Sequence, residues 1–373
     1  MRIVHVSDCY APRVGGIESQ VRDLARAQAS AGHEVHVLTA TPGPDGERHG
    51  VRQDDDGVTV HRLGTYVPFD LPVNPGAPAR MRELLRELGP DAVHVHAGVV
   101  SPFAFDGARV ALDAGAPLAI TWHCMLDGAV PALRAAVSRT RWADAPVAFS
   151  AVSGAAAERV AQVFGREVAV VPNGMDVAAW APHDRPAAEG PLRAVATMRL
   201  AGRKRGPALV GVIEDVATQL APGSLTVEIY GDGPARARMQ RSVQRRGLDD
   251  VVHLNGRVAR EELHGSYAGA HVFLAPAVLE AFGIAALEAR SAGLVVVAHR
   301  GTGVAEFVTD GVDGLLVDDD AGMARALVRL VRDPELRARL QAQARAARPP
   351  FTWSLVLARA EGEYRRAREL RGR

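Results

Sequence analysis

Short apolar runs alternate along this chain with longer stretches whose apolar residues recur every three to four positions. The first kind reads as buried strands and the second as helices lying on them. In the N-terminal part the pattern predicts strands at Ile3–Ser7, Val35–Thr39, Val58–Arg62, Ala92–His96, Leu118–Trp122, Val147–Val152 and Val168–Val171. It predicts helices at Ile17–Ala31, Pro78–Leu88, Pro102–Ala114, Val130–Trp142 and Gly154–Phe164. Thr41–Gly57, rich in Gly, Pro, Asp and His, reads as a loop. After a Pro/Ala/Gly-rich linker at Ala181–Pro191 the alternation resumes, with strands at Leu192–Met198, Leu225–Tyr230, Val251–Leu254, His271–Ala275, Leu294–Ala298 and Gly314–Val317. A helix at Thr352–Leu370 comes last. Continuous apolar strands separated by helices predict an α/β chain of two doubly wound parallel sheets, each Rossmann-like. The domains are expected at residues 1–180 and 181–350, with a terminal helical segment over 351–373. Ligands of such sheets bind at the C-terminal ends of the strands.

One strand end concentrates chemistry. Pro276-Ala277-Val278-Leu279-Glu280-Ala281-Phe282-Gly283-Ile284 follows the apolar run His271–Ala275, and a helix opens near Phe282. Glu280 stands just before that helix and Glu288 about two turns inside it, so both can face one side. Gly283 lets a ligand approach the backbone. The free N–H groups of Gly283 and Ile284 suit an anion, helped by the helix dipole. Carboxylates flanking such a seat serve hydroxyls, and a nucleotide sugar has hydroxyls on both sides of its diphosphate. An amphipathic helix with two solvated acids is the plainer reading of the same residues.

Composition excludes some classes. Apolar residues make up 47% and charged ones 23%, ordinary for a globular chain, and the net charge of +1 gives no pull toward nucleic acid. Cys9 and Cys124 form no disulfide framework, which fits a reducing, cytoplasmic setting. Met1-Arg2 leads straight into a strand-like run, so no export signal is expected. No apolar run reaches the length of a membrane span, so any membrane contact is peripheral. Arg134, Arg139, Arg141 and Trp142 could rest on anionic headgroups, yet residues 1–180 carry 16 arginines against 20 acids, and a solvated helix is the stronger reading. The runs Asp54-Asp55-Asp56 and Asp318-Asp319-Asp320 read as a loop and a helix N-terminus, not as metal ligands. Among 44 basic residues Lys204 is the single lysine. A compact ammonium binds phosphate differently from a planar guanidinium, so chemistry is expected to hold Lys204 in place.

Glu280-Ala281-Phe282-Gly283-Ile284 followed by Glu288 resembles the E-x-F-G-x-x-x-x-E motif of retaining glycosyltransferases of family four. Other segments carry the same resemblance. Arg199-Leu200 with Lys204 resembles the family's phosphate motif, although Arg205 stands where Gly is commonest and Met198 where Gly usually precedes the Arg. Val14-Gly15-Gly16-Ile17-Glu18 matches its N-terminal glycine loop, and Pro172-Asn173-Gly174-Met175-Asp176 its turn out of the first domain. Gly231-Asp232-Gly233-Pro234 and Asn255-Gly256-Arg257-Val258 are further matches, and the first lacks the third glycine of a dinucleotide fingerprint.

The resemblance implies a GT-B fold, two Rossmann-like domains facing across a cleft, with the last helix crossing back to the first domain. It implies a UDP- or GDP-sugar donor, no cofactor and no metal, and a hydroxyl acceptor on the N-terminal domain. Arg199 and Lys204 would then stabilise the leaving diphosphate. Glu280 would orient the sugar, Glu288 would hold the ribose, and His123 would meet the donor sugar, with His96 behind it. Gly15, Gly16, Gly231, Arg257, Val258, Phe282, Gly283 and Ile284 would complete the donor site, and Asp8 and Tyr10 would lie on the acceptor side. Family enzymes retain configuration without an evident protein nucleophile, the departing diphosphate taking the acceptor's proton. The glycine loop together with His123 resembles members that glycosylate inositol phospholipids, which implies peripheral contact with the inner face of a membrane. A sugar-nucleotide 2-epimerase and a non-catalytic two-domain binding protein are the rival readings.

Overall fold

A computed structural model describes residues 1–13, 15–48, 51–65, 73–182 and 190–372. Val14 of the glycine loop and residues 183–189 of the expected linker lie outside the described residues. The chain divides into two compact units. Met1–Met175 together with the segment from Phe351 onward forms the first, and Asp176–Pro350 the second.

In chain order the first unit holds β1 (Arg2–Ser7), α1 (Gly16–Ser30), β2 (Glu34–Thr39), β3 (Val51–Asp55), β4 (Val58–Arg62), α2 (Ala77–Leu88), β5 (Ala92–Ala97), α3 (Pro102–Asp113), β6 (Leu118–Trp122), α4 (Val130–Val137), β7 (Val147–Ala151), α5 (Gly154–Phe164) and β8 (Ala169–Val170). The second holds β9 (Leu192–Thr197), α6 (Gly206–Ala217), β10 (Leu225–Tyr230), α7 (Arg236–Arg245), β11 (Val252–Gly256), α8 (Arg260–Tyr267), β12 (Val272–Ala275), α9 (Ile284–Ser291), β13 (Val295–His299), β14 (Gly314–Val317), α10 (Asp320–Arg332) and α11 (Pro334–Ala346). The last helix, α12 (Trp353–Arg371), belongs to the first unit.

Sheet one runs β3-β4-β2-β1-β5-β6-β7-β8, parallel except for the β3–β4 pair, and sheet two runs β11-β10-β9-β12-β13-β14, parallel throughout. The apolar runs form the central strands because both faces are covered: every residue of β5, β6, β7 and β13 is buried. Strand order reverses between β1 and β5 in one sheet and between β9 and β12 in the other. The strand ends beside such a reversal diverge and leave room for a ligand. Residues Asp8 and Arg199 follow β1 and β9, and Glu280 follows β12, so the topology itself sets these side chains at the two reversals.

On α12, Val356, Ala360, Tyr364 and Ala367 are buried at helical spacing and join Ile3, Leu24, Ala92, Ala119 and Ala148 in one core cluster. A larger cluster, from Leu192 to Leu340, fills the second unit.

Two expectations fail. Thr41–Gly57 is not all loop, because Val51–Asp55 pairs antiparallel with β4 as an edge strand. Asp56 and Gly57, at φ 52° and 80°, close a two-residue hairpin of the kind Asp-Gly favours. The helix expected to reach Trp142 stops at Val137, and none of its residues is buried. Beyond it Thr140 Oγ1 donates to Val137 O, a hydroxyl competing for helix carbonyls.

Candidate active site

In the second unit, β9 runs into Met198–Arg205, a loop closed by a short 3-10 turn at Gly202–Lys204. Lys204 Nζ donates to Glu280 Oε2, so the single lysine and the first motif glutamate are brought together as a half-buried ion pair. Arg199 is exposed and has no ion-pair partner among the described residues. Arg205 adopts the left-handed backbone at φ 58°, which is why Gly suits this position. Its guanidinium is held by Asp320 through two bonds of 2.8 Å and also reaches Pro276 O at 3.2 Å, which ties the phosphate-motif loop to the turn after β12. Asp319 caps α10 by accepting from Gly322 N at 2.6 Å. The second acidic run therefore serves a cap and ion pairs with Arg205, Arg300 and Arg325.

Helix α9 opens at Ile284 because Gly283, at φ 93°, turns the chain there, two residues later than expected. Its first N–H groups have no intrahelical acceptor, as in any helix, and no side chain caps them. The preceding loop is clamped: Gly303 N donates to Glu280 O at 2.9 Å, and a Cβ on Gly303 would sit 2.1 Å from Ala281 O.

Some candidate residues have structural duties. The Phe282 ring is buried against Phe307, with centroids 5.6 Å apart, so only its backbone can serve a ligand. Gly231 is required by packing, since its Cβ would lie 1.9 Å from Met198 O, and its N–H already donates to Gly256 O at 2.7 Å. Glu288 is 5% exposed, and its Oε1 accepts from Arg260 Nε and Nη2, each at 2.9 Å. Arg257 is exposed and Val258 half-buried just past β11.

In the first unit, Asp8 is 7% exposed. Its Oδ1 accepts from Phe103 N at 3.0 Å, while Oδ2 is buried without a partner among the described residues. Burial pushes its carboxyl up to about 6 against the pull of the Ser101 hydroxyl and the Phe103 amide. Tyr10 is a correction: its ring lies wholly in the core, and its hydroxyl donates to Asp55 Oδ2 at 2.8 Å. Asp55 also binds Arg22 and Arg26. Burial works against its charge, yet those bonds win and hold its carboxyl down to about 2. Asp54-Asp55-Asp56 thus belongs to a hairpin and its ion pairs. Gly15 N-caps α1 in an extended conformation, and Gly16 is its first residue. The Glu18 carboxylate folds back to where a Gly15 Cβ would stand, so a larger residue at position 15 would have to displace that flexible side chain.

His123 follows β6, and its Nε2 lies 3.0 Å from His96 Nδ1. His96 Nε2 in turn lies 2.9 Å from His5 Nδ1. Burial holds His123 and His5 down to about 4 and His96 well below its ordinary value, so all three rings are neutral near pH 7. Nitrogens of His5, His94 and His96 lie within 4.8 Å of one another, a grouping not among the residues expected from sequence. Its signal was available, because His94 and His96 alternate onto one face of a fully buried strand. Also missed were Arg260 and Asp320, whose partners lie far away in sequence.

Residues 14–179 match the family description Glycosyltransferase Family 4, and residues 185–347 match Glycosyl transferases group 1. A phosphatidylinositol N-acetylglucosaminyltransferase chain of Arabidopsis thaliana is 28% identical over 342 residues, 89% of this chain and 74% of that protein. A GDP-mannose-dependent alpha-(1-6)-phosphatidylinositol dimannoside mannosyltransferase of Mycobacterium tuberculosis is 27% identical over 96% of this chain and 94% of that protein. The fold matches the crystal structure of Anabaena HepE in complex with UDP, with a TM-score of 0.74, 20% identity and 97% and 99% of the two chains covered. It matches sucrose-phosphate synthase from Thermosynechococcus elongatus similarly, with a TM-score of 0.75, 21% identity and 98% of each chain covered. Two family matches that together span most of the chain, on two parallel α/β units, make this protein a glycosyltransferase of the family-four type with the GT-B fold.

Proposed function

We propose that the enzyme transfers a sugar from a UDP- or GDP-sugar to a hydroxyl of an inositol-bearing acceptor, with retention of configuration and without a metal ion. The observation that carries this reading is the second unit's strand reversal, where Lys204 is paired with Glu280, Arg199 lies on the same loop as Lys204 with no ion-pair partner among the described residues, and the uncapped start of α9 follows Glu280 in the chain. These groups meet the charge that grows on the diphosphate as the glycosidic bond breaks. The departing oxygen takes the acceptor's proton on the face it leaves, so configuration is kept. Lys204 turns from Glu280 to the phosphate, and Glu280 takes a sugar hydroxyl in its place. Glu288, steadied by Arg260, takes the ribose, and Arg257 and Val258 lie where the base is read. On the first unit Asp8 accepts from the acceptor hydroxyl and His123 meets the sugar.

The acceptor class is supported by the relatives' names, which specify phosphatidylinositol, a phosphatidylinositol dimannoside and, for a 28% identical protein of Arthrobacter, D-inositol 3-phosphate. No helix among the described residues is long and apolar enough to cross a membrane. Where the acceptor is a lipid, we place the reaction at the inner face of the membrane, with the enzyme in peripheral contact. The test is a thermal-shift panel of UDP, GDP, ADP and their sugars. The cognate nucleotide at 100 times its dissociation constant adds about 2.7 kcal/mol, whereas no shift from UDP or GDP contradicts the donor assignment.

A further inference from the structure

We infer that a directed chain of buried hydrogen bonds fixes His123 as the tautomer protonated on Nε2, so that a bare Nδ1 lone pair is what a substrate hydroxyl meets. The chain starts at a group that can only accept. Ser150 Oγ donates to the Ile120 carbonyl at 3.4 Å, which leaves Ser150 Oγ to accept from Thr121 Oγ1 at 2.7 Å. With its proton so used, Thr121 Oγ1 accepts from His94 Nε2 at 2.7 Å. Burial keeps His94 neutral, so its Nδ1 is bare and accepts from the Tyr364 hydroxyl at 2.9 Å.

The Tyr364 oxygen accepts from Gln28 Nε2 at 2.8 Å, which turns Gln28 Oε1 toward His5 Nε2 at 2.6 Å. His5 Nε2 is therefore protonated and its Nδ1 accepts from His96 Nε2. His96, equally neutral, accepts on Nδ1 from His123 Nε2. Reversing any link would set a lone pair against the Ile120 carbonyl. His123 Nδ1 is neither bonded nor buried among the described residues. The ring is thus a neutral acceptor and adds no positive charge to the diphosphate.

Gln28, His5, His94, His96 and Tyr364 are accordingly positioning residues for His123, with Tyr364 contributed by the last helix. The same geometry disfavours a metal at His5, His94 and His96, because each inward lone pair already receives a proton. The substrate's hydroxyl chemistry rests on the transferase reading, but the tautomer does not.

The test is 15N NMR of histidine-labelled full-length protein, with transfer assayed on the same samples. His123 is expected in the wild type as a single neutral form protonated on Nε2. Tyr364→Phe removes the link between His94 and Gln28, so both chain directions become open. The His123 signal then approaches an even mixture and turnover falls about twofold, in step with the lost Nε2–H fraction. Should that variant fold poorly, Thr121→Val, which removes a hydroxyl from a chain of the same shape, takes its place, with Thr121→Ser restoring the single form. An Nδ1-protonated or charged His123 in the wild type overturns the inference. An unchanged tautomer in a folded Tyr364→Phe or Thr121→Val protein, or an equivalent of tightly bound transition metal per chain, also overturns it. The spectrum decides the inference even if no sugar is transferred, and the product assay separately decides the transferase reading.

Discussion

Glu280→Gln separates the two duties joined in the Lys204–Glu280 pair. Without ligand, Glu280 pairs with the Lys204 ammonium, which we propose turns to the diphosphate when the donor binds. Both side chains are partly exposed, at 27% and 20%, so solvent screens the pair and its worth is about 1 kcal/mol or less. Gln keeps the shape and a weaker acceptor but releases the charge. Free UDP or GDP should therefore bind up to about fivefold more tightly to Glu280→Gln than to the wild type. Transfer should move the other way, because a charged acceptor of a sugar hydroxyl contributes about 1.5–3 kcal/mol, or roughly tenfold to over a hundredfold in rate. Calorimetric titration with the nucleoside diphosphate and steady-state transfer on the same preparation measure both. Weaker nucleotide binding in Glu280→Gln, or unchanged transfer, contradicts this division of duties.

Lys204→Ala and Arg199→Ala should each lower turnover by about tenfold to over a hundredfold with little change in melting temperature, and Lys204→Arg should also be impaired; normal turnover in both alanine variants removes the phosphate site. Asp8 has a folded pKa raised to about 6, so the fold favours its neutral form: stability is fullest below pH 4 and falls as pH rises through 6. Asp8→Asn should therefore gain about 2–3 kcal/mol at pH 7.5 and nothing near pH 4 in denaturant melts, while transfer falls. Activity should survive EDTA; loss restored by magnesium or manganese contradicts a diphosphate met by Arg199, Lys204 and α9 alone.

Fold class was legible because the central strands are parallel and buried on both faces, so they appear as short, largely apolar runs. Val58–Arg62, Leu118–Trp122, Leu225–Tyr230 and Gly314–Val317 coincide with their expected bounds. Edge strand β3 was lost because three of the five residues of Val51–Asp55 are charged, although Asp56-Gly57 announced the turn. Motif spacing brought out Glu280, Gly283 and Lys204, since each lies at a strand end or helix start that local sequence specifies. Pairings across long separations left no local trace. Lys204 with Glu280, Glu288 with Arg260 and Tyr10 with Asp55 depend on which loops the topology makes neighbours, and only the fold shows that Tyr10 is core.

The most direct test incubates the purified enzyme with GDP-mannose or UDP-N-acetylglucosamine and vesicles containing phosphatidylinositol, then weighs the lipid by mass spectrometry and reads the new linkage by NMR. The expected product is a lipid heavier by one sugar, with the donor's anomeric configuration kept and one nucleoside diphosphate released per sugar transferred. Donor consumed while the lipid stays unmodified, with epimerised or hydrolysed free sugar in solution, or a product of inverted configuration, would contradict it.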